Sequence, residues 1–168
     1  MTKKLAPAVF LLGSAALIYF VAGQKPGGAP SGEKAAALSA PDLAGRTVAL
    51  ADFAGKVVLV DFWATWCAPC KAEVPELVRL QKELGPRGLV VLGVSMDEDT
   101  AAVAPFSKSK GVNYPMLLLG SEMAPAGWTV PGLPTAFLVG RDGAILKRYF
   151  GAKDAGQLEA DLVAALAR

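Results

Sequence analysis

The sequence contains no histidine and only two cysteines. Without histidine there is no Ser-His-Asp or Cys-His nucleophile, no His-ligated haem and no Cys/His zinc finger. Two cysteines do not complete a four-thiolate metal site within one chain. They are also too few for the disulfide framework that staples small secreted folds. Charged residues make up only 19% of the chain, and acids are scarcest at the front. Up to Leu38, Glu33 is the only acid against Lys3, Lys4, Lys25 and Lys34. The remainder is close to neutral, which leaves nucleic-acid binding without an electrostatic footprint. What the chain does have is apolar mass. At 53% hydrophobic over 168 residues it can bury the core of one domain, with a tail to spare.

The front end reads as a membrane segment. Lys3 and Lys4 precede an uncharged run from Leu5 to Gly23, about long enough to cross a bilayer. The lysines favour an N-terminus on the inner side and export of the rest. Residues 1–23 are therefore expected to be a retained signal anchor, a single transmembrane helix in the cytoplasmic (inner) membrane. A cleaved signal peptide is the alternative, although Val21-Ala22-Gly23 is a poor cleavage site. No cysteine lies there, which rules out a lipoprotein anchor. Residues 24–38 begin rich in Gly and Pro and read as a flexible linker, and residues 39–168 as the folded domain.

Within that domain strand and helix patterns alternate. Lys56 to Trp63 is a nearly continuous apolar run, the mark of a strand covered on both faces. Val74, Leu77, Val78, Leu80 and Leu84 follow at helical spacing, stopped by Gly85-Pro86. Leu89 to Ser95 is a second buried strand. Asp99 to Lys110 is a polar-faced helix carrying Val103 and Phe106, and Tyr114 to Leu119 is a short strand. Thr135 to Val139 and Ala144 to Phe150 form a hairpin about Asp142-Gly143. Asp154 to Ala167 closes as an amphipathic helix. The order predicts an α/β fold with a mixed central sheet, flanked by helices on both faces.

Both cysteines fall in Trp66-Cys67-Ala68-Pro69-Cys70, between a buried strand and a helix start. Unpaired N–H groups and the positive end of the helix dipole favour a thiolate at Cys67. Cys70, one turn on, shares its side and can close a disulfide with it. Pro69 suits the first helical turn. A structural staple and half of a metal site are the alternatives. So short a loop gains little from a staple, and a zinc site would need a second chain.

The run VVLVDFWATWCAPCKAEVPEL resembles the active site of the thioredoxin superfamily, with Pro75 where that family kinks its helix. Val130-Pro131-Gly132-Leu133-Pro134-Thr135 resembles the family's cis-proline loop. The long interval between Cys70 and Pro134, the front-end anchor and the lead-in from Ala40 to Lys56 are similar to the TlpA/ResA group. The resemblance implies a thioredoxin-like fold and a membrane-tethered, extracytoplasmic (periplasmic) thiol–disulfide reductase. Its partners would be disulfide-containing proteins, among them apocytochrome c in cytochrome c maturation, and an upstream membrane thiol reductant. No cofactor beyond the Cys67–Cys70 disulfide is expected, and no metal. A disulfide oxidase or isomerase on the same scaffold is the alternative, and a Cu(I) metallochaperone a more distant one.

Roles for the neighbours follow. Asp61 is the only acid between Lys56 and Trp63. A carboxylate in a buried strand is costly unless paired or protonated. Asp61 is expected behind the cysteines, as proton acceptor for Cys70. That position departs from the tethered group, which often has a neutral residue there. Glu73, three residues after Cys70, shares its helix face. Leu133–Pro134 is expected to be cis, leaving backbone groups free for an extended substrate. Trp66, Ala68, Pro69, Leu133 and Pro134 are expected to line the substrate groove. Trp63 is expected in the core, Trp128 is unplaced, and Met96, Met116 and Met123 read as core filler.

Overall fold

The computed structural model describes residues 32–120 and 123–168. The expected membrane segment at 5–23 lies outside the described residues. Among the described residues no helix is long and apolar enough to cross a membrane.

The described residues form seven strands and three α-helices: β1 Ser39–Pro41, β2 Thr47–Ala49, β3 Val57–Trp63, α1 Ala68–Leu84, β4 Leu89–Ser95, α2 Val103–Lys110, β5 Met116–Leu118, β6 Thr135–Val139, β7 Ile145–Phe150 and α3 Ala155–Leu166. β3 is buried at every position, as its unbroken apolar run predicts. The main sheet has the order β5-β4-β3-β6-β7. β3–β4 and β4–β5 are parallel, whereas β3–β6 and β6–β7 are antiparallel. The lead-in from Ala40 holds a feature that the sequence pattern did not reveal, a small β1–β2 hairpin. Its turn is held by Asp42, whose carboxylate accepts the N–H groups of Ala44 and Arg46 and pairs with the Arg46 guanidinium.

Side chains of β3 alternate between two cores. Val57, Leu59 and Trp63 face a cluster built with Leu77, Leu80 and Leu84 of α1, Val103 of α2, and Leu158 and Leu162 of α3. Val58, Val60 and Phe62 face the other side, toward Leu38, Trp128, Phe137 and Ile145. Helices on both faces were expected. Instead, among the described residues, α1, α2 and α3 all pack on one face. The reason is topological: β3, β4 and β5 step across the sheet in one direction, so two right-handed crossovers place α1 and α2 on the same side. The opposite face is covered by the N-terminal segment, the β1–β2 hairpin, a 3₁₀ turn over Leu50–Phe53 and the loop carrying Trp128. Trp128 fills that cover edge-on to Phe137, with ring centroids 4.9 Å apart.

The expected linker also ends earlier than Leu38. The Glu33 carbonyl accepts the Ile145 N–H, the Ala35 N–H donates to Gly143, and Leu38 is buried. Chain from Glu33 onward is thus part of the domain rather than a tether.

Candidate active site

β3 ends at Trp63, and four residues later Cys67 caps α1. Cys67 and Cys70 are joined as a disulfide. The Cys70 N–H points at Cys67 Sγ, 3.3 Å away, so the sulfur takes the place of a capping side chain. Both cysteines are nearly buried, Cys67 at 5% exposure and Cys70 at 3%. Pro69 occupies the first turn, where its missing N–H leaves no bond unmade. Pro75 sits inside the helix and deprives the Lys71 carbonyl of its usual partner.

The Leu133–Pro134 bond is cis, as expected. Phe62 of β3 pairs with Thr135 of β6, so Pro134 and the Cys67 turn lie at the same end of the sheet. Strands β3 and β4 also end there, at the position where open α/β sheets place their ligand crevices. Trp66, 59% exposed, forms one wall of a cavity of about 220 Å³ with Met96, Val130, Pro131, Gly132 and Leu133. Ala68 and Pro69 are exposed beside it. A larger cavity of about 330 Å³ lies on the opposite face, around Ala36, Phe53 and Val139, and shares no residue with the cysteine turn. Two backbone acceptors of the proline loop are already engaged: Gly132 by the Thr135 hydroxyl and Pro134 by the Gly151 N–H. Neither bond uses the Leu133 N–H or carbonyl, the backbone groups next to the cis bond.

Asp61 is 5% exposed and lies on the β3 face that carries the cysteines and helices. An Asp turned to solvent is excluded. Its partner, which the sequence reading missed, is Lys153 in the loop between β7 and α3. Lys153 Nζ lies 3.0 Å from Asp61 and 2.7 Å from Glu73, and the Lys153 N–H donates to the other Glu73 oxygen at 2.5 Å. Glu73, its side chain 12% exposed, is thus the second acid of a largely buried triad. Burial pushes the Asp61 carboxyl above the usual carboxylate range, only partly offset by the Lys153 charge. Burial alone would pull the Lys153 ammonium down, but Asp61 and Glu73 together hold it above its ordinary value. Tyr114 lies in the same field. Its phenol is pushed up by burial first, then by the charges of Asp61 and Glu73.

Asp97 is a second residue absent from the sequence reading. It is buried at the end of β4, and its carboxylate accepts the Thr65 N–H, the Thr65 hydroxyl at 2.6 Å and the Ser95 hydroxyl at 2.8 Å. It pins the turn two residues before Cys67. Met96 and Met116 are buried filler as expected, but Met123 is exposed. Trp63 is core, stacked against Phe106 with centroids 5.0 Å apart.

Comparison with known proteins bears on this geometry. The model of the AhpC/TSA family matches residues 31–148. The thiol-disulfide oxidoreductase ResA of Bacillus subtilis strain 168 is 36% identical over 110 residues, covering 66% of this chain and 62% of that protein. The chain thus spans less than two thirds of that relative. ResA of Bacillus thuringiensis subsp. konkukian is 33% identical over 129 residues, covering 76% of this chain and 74% of that protein. A crystal structure from Chlorobium tepidum, assigned as the thiol:disulfide interchange protein DsbE, superposes with a TM-score of 0.77 at 31% identity. The match covers 83% of this chain and 99% of that one.

Proposed function

We propose that this chain, which belongs to the AhpC/TSA family and has a thioredoxin-like fold, is a thiol–disulfide oxidoreductase that works as a reductase of protein disulfides. The observation that carries the proposal is the Cys67–Cys70 disulfide at the start of α1, on the sheet face that also holds two acids, Asp61 and Glu73, and one cation, Lys153. Strong disulfide oxidants stabilise their reduced thiolate. Here Ala68-Pro69 brings no charge between the cysteines. Asp61 and Glu73 outnumber Lys153 and work against a thiolate. That balance favours the donation of electrons.

In the proposed cycle the reduced Cys67 thiolate attacks one sulfur of a substrate disulfide. A bond forms between Cys67 and that sulfur, and the other substrate sulfur leaves as a thiolate and takes a proton. Cys70 then gives its proton to Asp61 and attacks Cys67 Sγ. The Cys67–Cys70 bond forms and the substrate's first sulfur departs, so two electrons have passed to the substrate. An upstream membrane thiol reductant restores the dithiol. The site in this reading is Cys67, Cys70, Asp61 and Glu73, with Trp66, Ala68, Pro69, Leu133 and Pro134 lining the substrate groove. Residues 5–23 hold the domain at the extracytoplasmic side of the membrane. The haem-binding cysteine pair of apocytochrome c fits as a substrate for such a donor, in cytochrome c maturation.

The test is the equilibrium reduction potential of the Cys67–Cys70 pair. A value at or below about −220 mV supports the reductase reading, whereas one near about −120 mV makes the protein an oxidant. Cys70→Ser should leave substrates covalently trapped on Cys67, because nothing remains to resolve the mixed disulfide. Absence of any adduct would contradict this order of attack.

A further inference from the structure

We propose that Lys153 is a positioning residue for thiol–disulfide exchange: lying between Asp61 and Glu73, it sets the charge of the buried acid pair behind the cysteines, and with it the pH at which reduced Cys67 ionises. The proposal rests on the reading of Cys67 as the attacking sulfur.

Three observations carry it. First, Lys153 is placed by its backbone as well as its side chain. Its N–H donates to one Glu73 oxygen while its Nζ reaches the other oxygen and Asp61. The lysine side chain is only 2% exposed, so its charge is scarcely screened by water. Second, the acids it touches lie on the same side of the sheet as the sulfurs. Glu73 is one helical turn from Cys70 on α1, a spacing that puts their Cβ atoms about 5–6 Å apart. Asp61 is on the sheet face that carries both cysteines. Third, the same loop is tied to the proline segment, because the Gly151 N–H donates to the Pro134 carbonyl two residues before Lys153. One short loop therefore spans the substrate side and the proton side of the disulfide.

The groups facing the ammonium are Asp61 from β3 and Glu73 from α1, and Tyr114, before β5, sits in the field of both acids. Two carboxyls against one ammonium leave one negative charge, or one proton, unmatched. Removing the ammonium leaves the acids opposed only to each other. More negative charge then bears on Cys67, and its thiolate forms less readily.

The experiment follows alkylation of the reduced full-length chain by iodoacetamide between pH 5 and pH 10, with the labelled cysteine located by mass spectrometry. In Lys153→Met the midpoint for Cys67 labelling should move up by about one pH unit, a roughly tenfold slower reaction below the midpoint. Lys153→Arg, which keeps the charge, should retain the native midpoint. A folded Lys153→Met variant with the native midpoint would overturn the proposal, since a purely structural lysine would lower stability without moving the profile. Should Lys153→Met not fold, the comparison is Asp61→Asn alone against Asp61→Asn with Lys153→Met. The double variant should label at the higher pH, and equal midpoints would overturn the proposal. Labelling of Cys70 instead of Cys67 in the native chain would remove the premise and the proposal with it. A changed or unchanged profile in Lys153→Met leaves the reduction potential of the native pair as a separate measurement, so the reductase reading stands or falls on its own.

Discussion

Asp61 carries a charge problem that its neighbours only partly solve. Burial raises its carboxyl above the unfolded value, and Lys153 offsets part of that rise. A carboxyl raised on folding binds more protons in the native state than in the unfolded one. Its contribution to stability is therefore fullest below about pH 4, near the unfolded value, and is lost as pH rises through the folded value. Asp61→Asn has no such dependence. The stability of the native chain relative to Asp61→Asn should fall as pH rises from 4 toward 8, as measured by urea denaturation of both. A constant difference would mean that the carboxyl is not raised. The same variant should slow resolution of the mixed disulfide at neutral pH, if Asp61 accepts the Cys70 proton. At Asp97 the logic differs, since its carboxylate is satisfied by neutral donors. Asp97→Asn turns one acceptor into a donor facing the Thr65 N–H and should lose about 1–3 kcal/mol, seen as a lower urea midpoint with an unchanged slope. Asp61 could be picked out from its sequence because one acid in an apolar strand is conspicuous. Lys153 and Asp97 could not. Each sits in a polar stretch, GAKDAG and SMDEDT, that reads as surface, and only long-range packing buries it.

At the scale of elements, period and punctuation carried most of the information. β4 and β6 begin and end where their apolar runs do, and α1 stops at Gly85 as Gly85-Pro86 predicts. The β1–β2 hairpin escaped notice because its strands are three residues each, one containing Pro41, and too short to show a period of two. Gly93 is a subtler case. A glycine inside LVVLGVS weakens a strand unless something needs the space. The space is taken by the Met116 sulfur of β5, with the Trp63 indole 3.4 Å beyond where a Cβ would lie. Gly93→Ala should therefore destabilise the fold by about 1–3 kcal/mol through overpacking. Combined with Met116→Ala, it should cost clearly less than the two separate losses added together. Strict additivity in denaturant titrations would show that this contact is not what excludes a side chain.

Over the whole molecule, the sheet is clad asymmetrically. The succession of β3 to β7 along the chain and the mixed character of their sheet were readable from the sequence; the order of strands within the sheet was not. The side on which each helix lands was not, because it depends on which way successive strands step, and sequence period is silent on that. The helical side carries the cysteines, the acid–lysine triad and the 17-residue α1. The other side is closed by short pieces with little regular hydrogen bonding of their own. Opening free energy follows buried contact and bonding, so the two faces should trade amide hydrogens with solvent at different rates. Peptides spanning residues 33–53 and 124–130 should take up deuterium earlier than those from β3, β4 and α1, and uniform uptake would contradict this division. The soft face is the one remote from the sulfurs. Breathing there lets the domain loosen its back while the geometry that moves electrons stays in register.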